Sequence, residues 1–185
     1  MQSQETSANI FTAANALTFA RLILLPVIMW GIVKEHGWVA VIAMLLVWIT
    51  DLLDGRLARR LGKPSPFGKA LDSTVDFVLL YSLFIAFYAA GRLATWQFGF
   101  VYLSMLSILT LQLAGTATGS AETATTRLGK PTGALQYGYL IFLVLREVLP
   151  ESAALDTFNL VFFGVLALAI LANTAQIVIK LRSML

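Results

Sequence analysis

Six long apolar segments dominate this sequence and restrict the folds that it can adopt. They cover residues 17–33, 38–58, 68–90, 94–117, 131–149 and 157–180, with short polar breaks between them. Each approaches the ~20 residues that a helix needs to cross a bilayer core of about 30 Å. The chain is 58% hydrophobic, whereas soluble domains contain about 45–50% apolar residues. The pattern therefore predicts an all-α, polytopic membrane bundle of six transmembrane helices.

The breaks also predict how the helices are arranged. Short connections favour antiparallel neighbours in one bundle, so we expect a single integral membrane domain over residues 1–185. The weakly amphipathic residues 7–19 allow a short interfacial helix at the N-terminal side of the first span.

Lysine and arginine are concentrated in alternate breaks. Nine follow the second, fourth and sixth segments: Arg56, Arg59, Arg60, Lys63, Lys69, Arg127, Lys130, Lys180 and Arg182. The other breaks hold only Lys34, Arg92 and Arg146. Because cytoplasmic loops carry an excess of positive residues, we expect both termini and the break after the second segment to lie on the cytoplasmic side of the cell membrane.

Four aspartates flank that break in two helical pairs. Asp51 and Asp54 are three residues apart, and Asp72 and Asp76 are four apart, so each pair shares a helix face. A carboxylate in hydrocarbon costs about 2.5–3.5 kcal/mol on the insertion scale, and four together repel one another. A divalent cation removes both problems, and oxygen ligands with no His or Cys nearby favour Mg²⁺ or Mn²⁺. Four carboxylates can hold two ions about 3.5–4 Å apart, which is an arrangement that polarises a phosphoryl centre.

Small residues and one arginine accompany the aspartates. Gly55, Ala58 and Gly68 allow the backbone to approach a ligand or the neighbouring helix closely. Arg59 can reach phosphate oxygens with its fork of donors. The remaining basic residues of this stretch are interpreted as topology signals that face lipid headgroups: Arg56, Arg60, Lys63 and Lys69.

The stretch from Asp51 to Asp76 reads D-x2-D-G-x2-A-R-x8-G-x3-D-x3-D. It resembles the signature of the CDP-alcohol phosphotransferases, also called CDP-alcohol phosphatidyltransferases, at all eight fixed positions. The six predicted spans and the chain length are similar to that family as well. The resemblance implies transfer of a phosphatidyl-type group from CDP-diacylglycerol to a small alcohol, with release of CMP, in phospholipid biosynthesis.

The resemblance also implies roles for individual residues. The four aspartates, Asp51, Asp54, Asp72 and Asp76, would bind the metal pair, and Asp76 would also be the base that takes the acceptor's hydroxyl proton. The nucleotide and its diphosphate would contact Gly55, Ala58, Arg59 and Gly68. The implied partners are membrane lipids, the CDP-linked lipid and a second copy of the chain, with no nucleic acid.

Two further stretches suggest how the acceptor is bound. Arg21, in "NALTFAR", matches an N-terminal stretch of the family; it is predicted to contact phosphate in a polar cavity, or alternatively to extend to the membrane surface. The segment "TTRLGKPTGALQ" is similar to a G-K-x-K-T-x-x-Q stretch of phosphatidylglycerophosphate synthases and contains Arg127, Lys130 and Gln136. Its cations suit an acceptor that carries its own phosphate, although they also fit loop topology.

The acceptor itself is open at this stage. Thr132 and Gly133 depart from the synthase stretch, and "DSTVDF" differs from the "DPxxDK" that accompanies glycerophosphate-type enzymes. Glycerol 3-phosphate is the leading acceptor, with inositol phosphate, serine or phosphatidylglycerol as alternatives.

Other function classes explain the aspartates less well. A divalent-cation transporter is expected to place carboxylates near the midplane and often to show internal repeats, and we find no repeat. A membrane prenyltransferase would carry a second aspartate-rich motif, and a structural scaffold would not require this spacing.

Overall fold

The computed structural model describes residues 13–60, 66–117 and 126–182, which form six helices and no strand. The helices are α1 (Ala13–Val33), α2 (Gly37–Arg60), α3 (Pro66–Ala89), α4 (Thr95–Ala117), α5 (Gly129–Arg146) and α6 (Ala153–Arg182). The predicted all-α fold class is confirmed. Of the proposed interfacial helix over residues 7–19, residues 13–19 belong to α1 and the others lie outside the described ranges.

The helix ends differ most from the predicted spans at the start of α1, which begins four residues early at Ala13, and around the last break. α5 ends at Arg146, three residues before the predicted end, and α6 begins at Ala153, four residues before the predicted start. Pro150 lies in the connection, where it cannot continue a helix from the N-terminal side. The apolar residues that follow Arg146 therefore belong to the connection and not to the span.

Packing divides the bundle into two groups of helices. α1 packs against both α2 and α3, and α6 packs against α4 and α5. α5 also contacts α2 and α3, and α4 contacts α3, so these contacts join the two groups. This arrangement places one face of α1 over the α2–α3 hairpin that carries the aspartates.

Apolar side chains fill the interior and also cover the outside. Ile28, Phe84 and Leu166 are fully buried at the centre, together with the ring of Tyr139. Large apolar residues point outward from every helix, for example Ile23, Trp38, Leu113, Leu160, Leu168 and Ile179. Because soluble monomers rarely expose such continuous apolar surface, these outer faces are suited to lipid.

Three helical segments are long and apolar enough to cross a membrane: Ala70–Ala89, Thr95–Thr116 and Ala153–Arg182. The described apolar parts of α1 and α2, Thr18–Val33 and Gly37–Asp51, are shorter. α5 is not among these segments; its 18 residues include Lys130, Gln136 and Arg146, which lower its mean hydropathy. Within the described residues there are thus six helices, and three of them are long and apolar enough to span a membrane.

Ion pairs join the connections at the end of the bundle opposite the aspartates. Arg92 lies 3.3 Å from a carboxylate oxygen of Glu35 and 3.3 Å from one of Glu147. Burial raises the pKa of Glu147, and the neighbouring Arg92 lowers it by less. Gly37 packs directly on this group, since a Cβ at that position would lie 2.4 Å from the Glu147 carbonyl oxygen. These contacts tie the α1–α2, α3–α4 and α5–α6 connections together.

Candidate metal centre

The α2–α3 hairpin brings three of the four predicted aspartates together. Asp51, on α2, and Asp72 and Asp76, on adjacent turns of α3, each have a carboxylate oxygen within 4.8 Å of the others. All three side chains are about half exposed, with exposed fractions of 56%, 43% and 39%. The cluster is therefore accessible to a ligand.

Arg21 of α1 supplies the positive charge at this cluster. Its Nη1 donates to Asp51 Oδ1 at 3.1 Å and to Asp76 Oδ1 at 2.6 Å, and its Nη2 donates to Asp72 Oδ1. Thr18, one turn earlier, accepts a bond from Nη2 at 3.4 Å. The Arg21 side chain is only 1% exposed. Its location excludes the alternative in which it extends to the membrane surface.

This arrangement explains how α1 tolerates a buried arginine. A lone guanidinium in an apolar interior is costly, and pairing with carboxylates and hydrogen bonding compensates for the lost hydration. The acidic partners are 30, 51 and 55 residues away in the sequence. Only the packing of α1 on the hairpin makes them neighbours.

The donor set fits a hard divalent cation. Three carboxylates with one guanidinium leave a formal charge of −2 on the described cluster. The ligand atoms are all oxygens, which Mg²⁺ and Mn²⁺ prefer. The single histidine, His36, lies in the α1–α2 connection at the far end, and the sequence contains no cysteine.

The other predicted ligands of this region are only partly described. Asp54, Gly55, Ala58 and Arg59 lie in α2, and Gly68 lies in the first turn of α3. Their side chains lie outside the described part of the structure, so their roles remain predictions.

α5 contributes a contact that the sequence did not suggest. The Tyr137 hydroxyl donates to the backbone carbonyl oxygen of Asp76 at 3.1 Å. The neighbouring Gln136 is 1% exposed and lies in the interior. A single tyrosine among the many aromatic residues of a membrane chain carries no signal for such a role. Tyr137 fixes α5 to the turn of α3 that presents Asp76.

Arg127 lies just before α5 and Lys130 lies in its first turn, and both are exposed. Within the described part of the chain neither forms a salt bridge, and neither contacts the aspartate cluster. Their proposed role in acceptor binding therefore remains a prediction.

The sequence profile of the CDP-alcohol phosphatidyltransferase family matches residues 11–179 of this chain. The chain belongs to the CDP-alcohol phosphatidyltransferase family. The family resemblance predicted from the signature is thus confirmed, and the match extends over all six helices.

Curated relatives within this family carry two kinds of name. The chain is 37% identical over 99 residues to a probable cardiolipin synthase (CMP-forming) of Drosophila melanogaster, covering 53% of this chain and 31% of the relative. It is 30% identical over 98 residues to a putative cardiolipin synthase of Mycobacterium tuberculosis, covering 52% and 46%. A probable phosphatidylglycerophosphate synthase of the same organism is 32% identical over 114 residues, covering 58% and 54%.

The matched regions span about a third to about half of the length of these relatives. No solved structure matches the chain significantly.

Proposed function

We propose that this protein transfers a phosphatidyl group from CDP-diacylglycerol to a glycerol-based acceptor and releases CMP. The observation that carries the proposal is the convergence of Asp51, Asp72 and Asp76 around buried Arg21 in a membrane chain of this family. The names of the relatives, cardiolipin synthase (CMP-forming) and phosphatidylglycerophosphate synthase, support phospholipid synthesis from a CDP-linked lipid.

The proposed metal ligands are Asp51, Asp54, Asp72 and Asp76. A bound pair of Mg²⁺ or Mn²⁺ ions would neutralise the diphosphate charge as the bond to CMP breaks. Arg21 would hold three of these carboxylates in a common orientation through its two terminal nitrogens. The nucleotide and diphosphate would contact Gly55, Ala58, Arg59 and Gly68.

Asp76 is the proposed general base. Its carboxylate would accept the proton of the acceptor hydroxyl from a distance of about 3 Å. The acceptor oxygen then attacks the phosphorus that carries the diacylglycerol, a new P–O bond forms, and the bond to the CMP oxygen breaks. The hydrogen bond from Tyr137 to the Asp76 backbone would keep this turn of α3 in register with α5.

The proposed acceptor carries a phosphate of its own, which Arg127 and Lys130 would bind. Glycerol 3-phosphate is the first candidate, and phosphatidylglycerol is the second because the matched relatives from Drosophila melanogaster and Mycobacterium tuberculosis described above include proteins named cardiolipin synthases. We further propose that the site faces the cytoplasm in the cell membrane, that residues 1–185 form one domain, and that the chain forms a homodimer.

The direct test is CMP release by the purified protein in lipid nanodiscs. The assay supplies CDP-diacylglycerol, Mg²⁺ or Mn²⁺, and one acceptor at a time: glycerol 3-phosphate, phosphatidylglycerol, inositol phosphate or serine. We expect CMP release with glycerol 3-phosphate or with phosphatidylglycerol, and we expect a metal chelator to stop it. Asp76→Asn should abolish release, whereas Asp156→Asn, the same change at an exposed position in the first turn of α6, should not.

The outcomes separate the parts of the proposal. Turnover with serine or inositol phosphate alone contradicts the acceptor assignment and leaves the transferase reaction intact. A folded protein that neither binds CDP-diacylglycerol nor releases CMP contradicts the transferase reaction, and divalent-cation transport is then the next activity to assay.

A further inference from the structure

A buried polar residue interrupts the most apolar of the three candidate spans. α6 has a mean hydropathy of 2.1, which is the highest of the candidate spans. Nevertheless Asn173, in its second half, is only 2% exposed. A buried amide in an apolar helix is costly unless it is hydrogen-bonded. The hydrogen-bond partner of Asn173 therefore indicates the role of this side chain in α6.

The partner is the segment that leads into α5. The Thr126 hydroxyl donates to Asn173 Oδ1 at 2.5 Å. Three residues further along α6, Gln176 Oε1 accepts the backbone N–H of Leu128 at 3.3 Å. One turn before Asn173, the carbonyl oxygen of Ala169 accepts the Thr132 hydroxyl at 3.4 Å.

These three acceptors form a single stripe along α6. Ala169, Asn173 and Gln176 are separated by four and then three residues, which is the spacing of one helix face. We call them the docking stripe. It holds the chain from Thr126 to Thr132 at three points.

The start of α5 depends on this stripe because it has no cap of its own. Leu128 is the N-cap residue of α5 and makes no side-chain capping bond. The Gln176 side chain therefore accepts the backbone N–H of the N-cap residue, a donor that a Glu or Gln at the third helical position would satisfy in a capping box, where this chain has Pro131. Bonds to α6 therefore fix this turn in addition to its local backbone bonds, such as that from the Gly129 N–H to the Thr126 carbonyl oxygen.

Arg127 and Lys130 lie between the docked points and are exposed. We propose that Asn173 and Gln176 are positioning residues that hold these two cations where they bind the phosphate of the acceptor. This inference rests on the proposed function. It adds a specificity element on α6, a helix that contains none of the signature residues.

The kinetic test removes one docking bond at low structural risk. Thr126→Val keeps the shape of the side chain and deletes the hydroxyl that donates to Asn173. We expect the KM for glycerol 3-phosphate or phosphatidylglycerol to rise about tenfold, because a displacement of about 1 Å in a positioning group can cost up to ~100-fold. The kcat and the KM for CDP-diacylglycerol should stay within about twofold, and Thr126→Ser should restore the acceptor KM.

A matched control lies on the same helix. Asn159 accepts a hydrogen bond from the Tyr139 hydroxyl at 2.8 Å, near the other end of α6. Asn159→Leu should leave the acceptor KM unchanged, whereas Asn173→Leu should raise it. If both leucine variants change all kinetic constants alike, the polar residues of α6 serve stability only and the proposal is overturned.

Trypsin provides a readout that does not depend on activity. The docked segment should resist cleavage after Arg127, and Thr126→Val should accelerate that cleavage relative to Thr126→Ser. Equal cleavage rates overturn the docking, and faster cleavage with an unchanged acceptor KM overturns the positioning role. If the wild-type protein uses no phosphate-bearing acceptor, the proposed function fails, and the cleavage rates still decide whether the stripe holds the segment.

Discussion

Replacing Arg21 with methionine tests whether its guanidinium is the counter-charge of the aspartate cluster. At the 2.6 Å between Arg21 Nη1 and Asp76 Oδ1, Coulomb's law gives about 1.6 kcal/mol in water and about 6 kcal/mol at an effective dielectric constant of ~20. Deleting one partner of a buried pair costs about 3–5 kcal/mol, whereas an exposed pair contributes under about 1 kcal/mol.

The ion pairs of Arg21 are intermediate between a fully buried pair and an exposed pair. Arg21 is 1% exposed, but its carboxylate partners are 39–56% exposed and keep part of their hydration. We therefore expect Arg21→Met to lower the free energy of unfolding of the metal-free protein by about 2 kcal/mol. For a chain of this size that is a fall in Tm of roughly 4–8 °C.

The assay is thermal unfolding in detergent with a chelator and then with Mn²⁺. Without Arg21 the three carboxylates repel one another more strongly, so Mn²⁺ should raise the Tm of Arg21→Met by more than that of the wild type. Arg146→Met is the control, because Arg146 pairs with a single exposed carboxylate, that of Asp156, and should shift Tm by less than ~2 °C. Equal shifts for the two variants, or no difference in the response to Mn²⁺, would refute the reasoning.

Three further predictions concern single contacts. Tyr137→Phe removes the bond to the Asp76 backbone and should lower kcat about fivefold, the equivalent of ~1 kcal/mol. An unaltered kcat in the CMP assay contradicts this role. Gly37→Ala places a methyl group 2.4 Å from the Glu147 carbonyl oxygen and should destabilise by about 1–3 kcal/mol in denaturant unfolding, whereas Gly99→Ala, with open space around it, should be neutral or stabilising. Burial raises the pKa of Glu147 in the folded protein. The stability that this group contributes is therefore complete below its unfolded pKa of about 4.3 and is lost as the pH rises through its folded pKa. Glu147→Gln should flatten the dependence of Tm on pH above about pH 4, and an unchanged dependence would show that Glu147 does not cause it.

Local patterns in the sequence predicted the class of fold and the chemistry of the site. Apolar runs of span length predict helices wherever they occur, because a helix satisfies its own backbone hydrogen bonds. The pairing of Asp72 and Asp76 on one helix face follows from their spacing alone. The family signature is likewise local, since all eight of its positions lie within one hairpin.

The partners of the site residues depend on which helix faces meet. α6 is apolar on nearly all sides, so its sequence carries little periodic signal for the face that packs inward. Nothing in the sequence around Asn173 therefore indicated that it would bind Thr126, 47 residues earlier. The same holds for Tyr137 and the backbone of Asp76.

The sequence by itself determined that this chain is a helical membrane protein of the CDP-alcohol phosphatidyltransferase family with aspartates at one hairpin, because those properties depend on hydropathy and short spacings. Only the tertiary structure decided that Arg21 lies among Asp51, Asp72 and Asp76 and that α6 holds the start of α5. The physical reason is that apolar helices of similar composition can pack in many rotations and neighbour orders. The few buried polar groups must find partners, and those partners become known only when all the helices are in place.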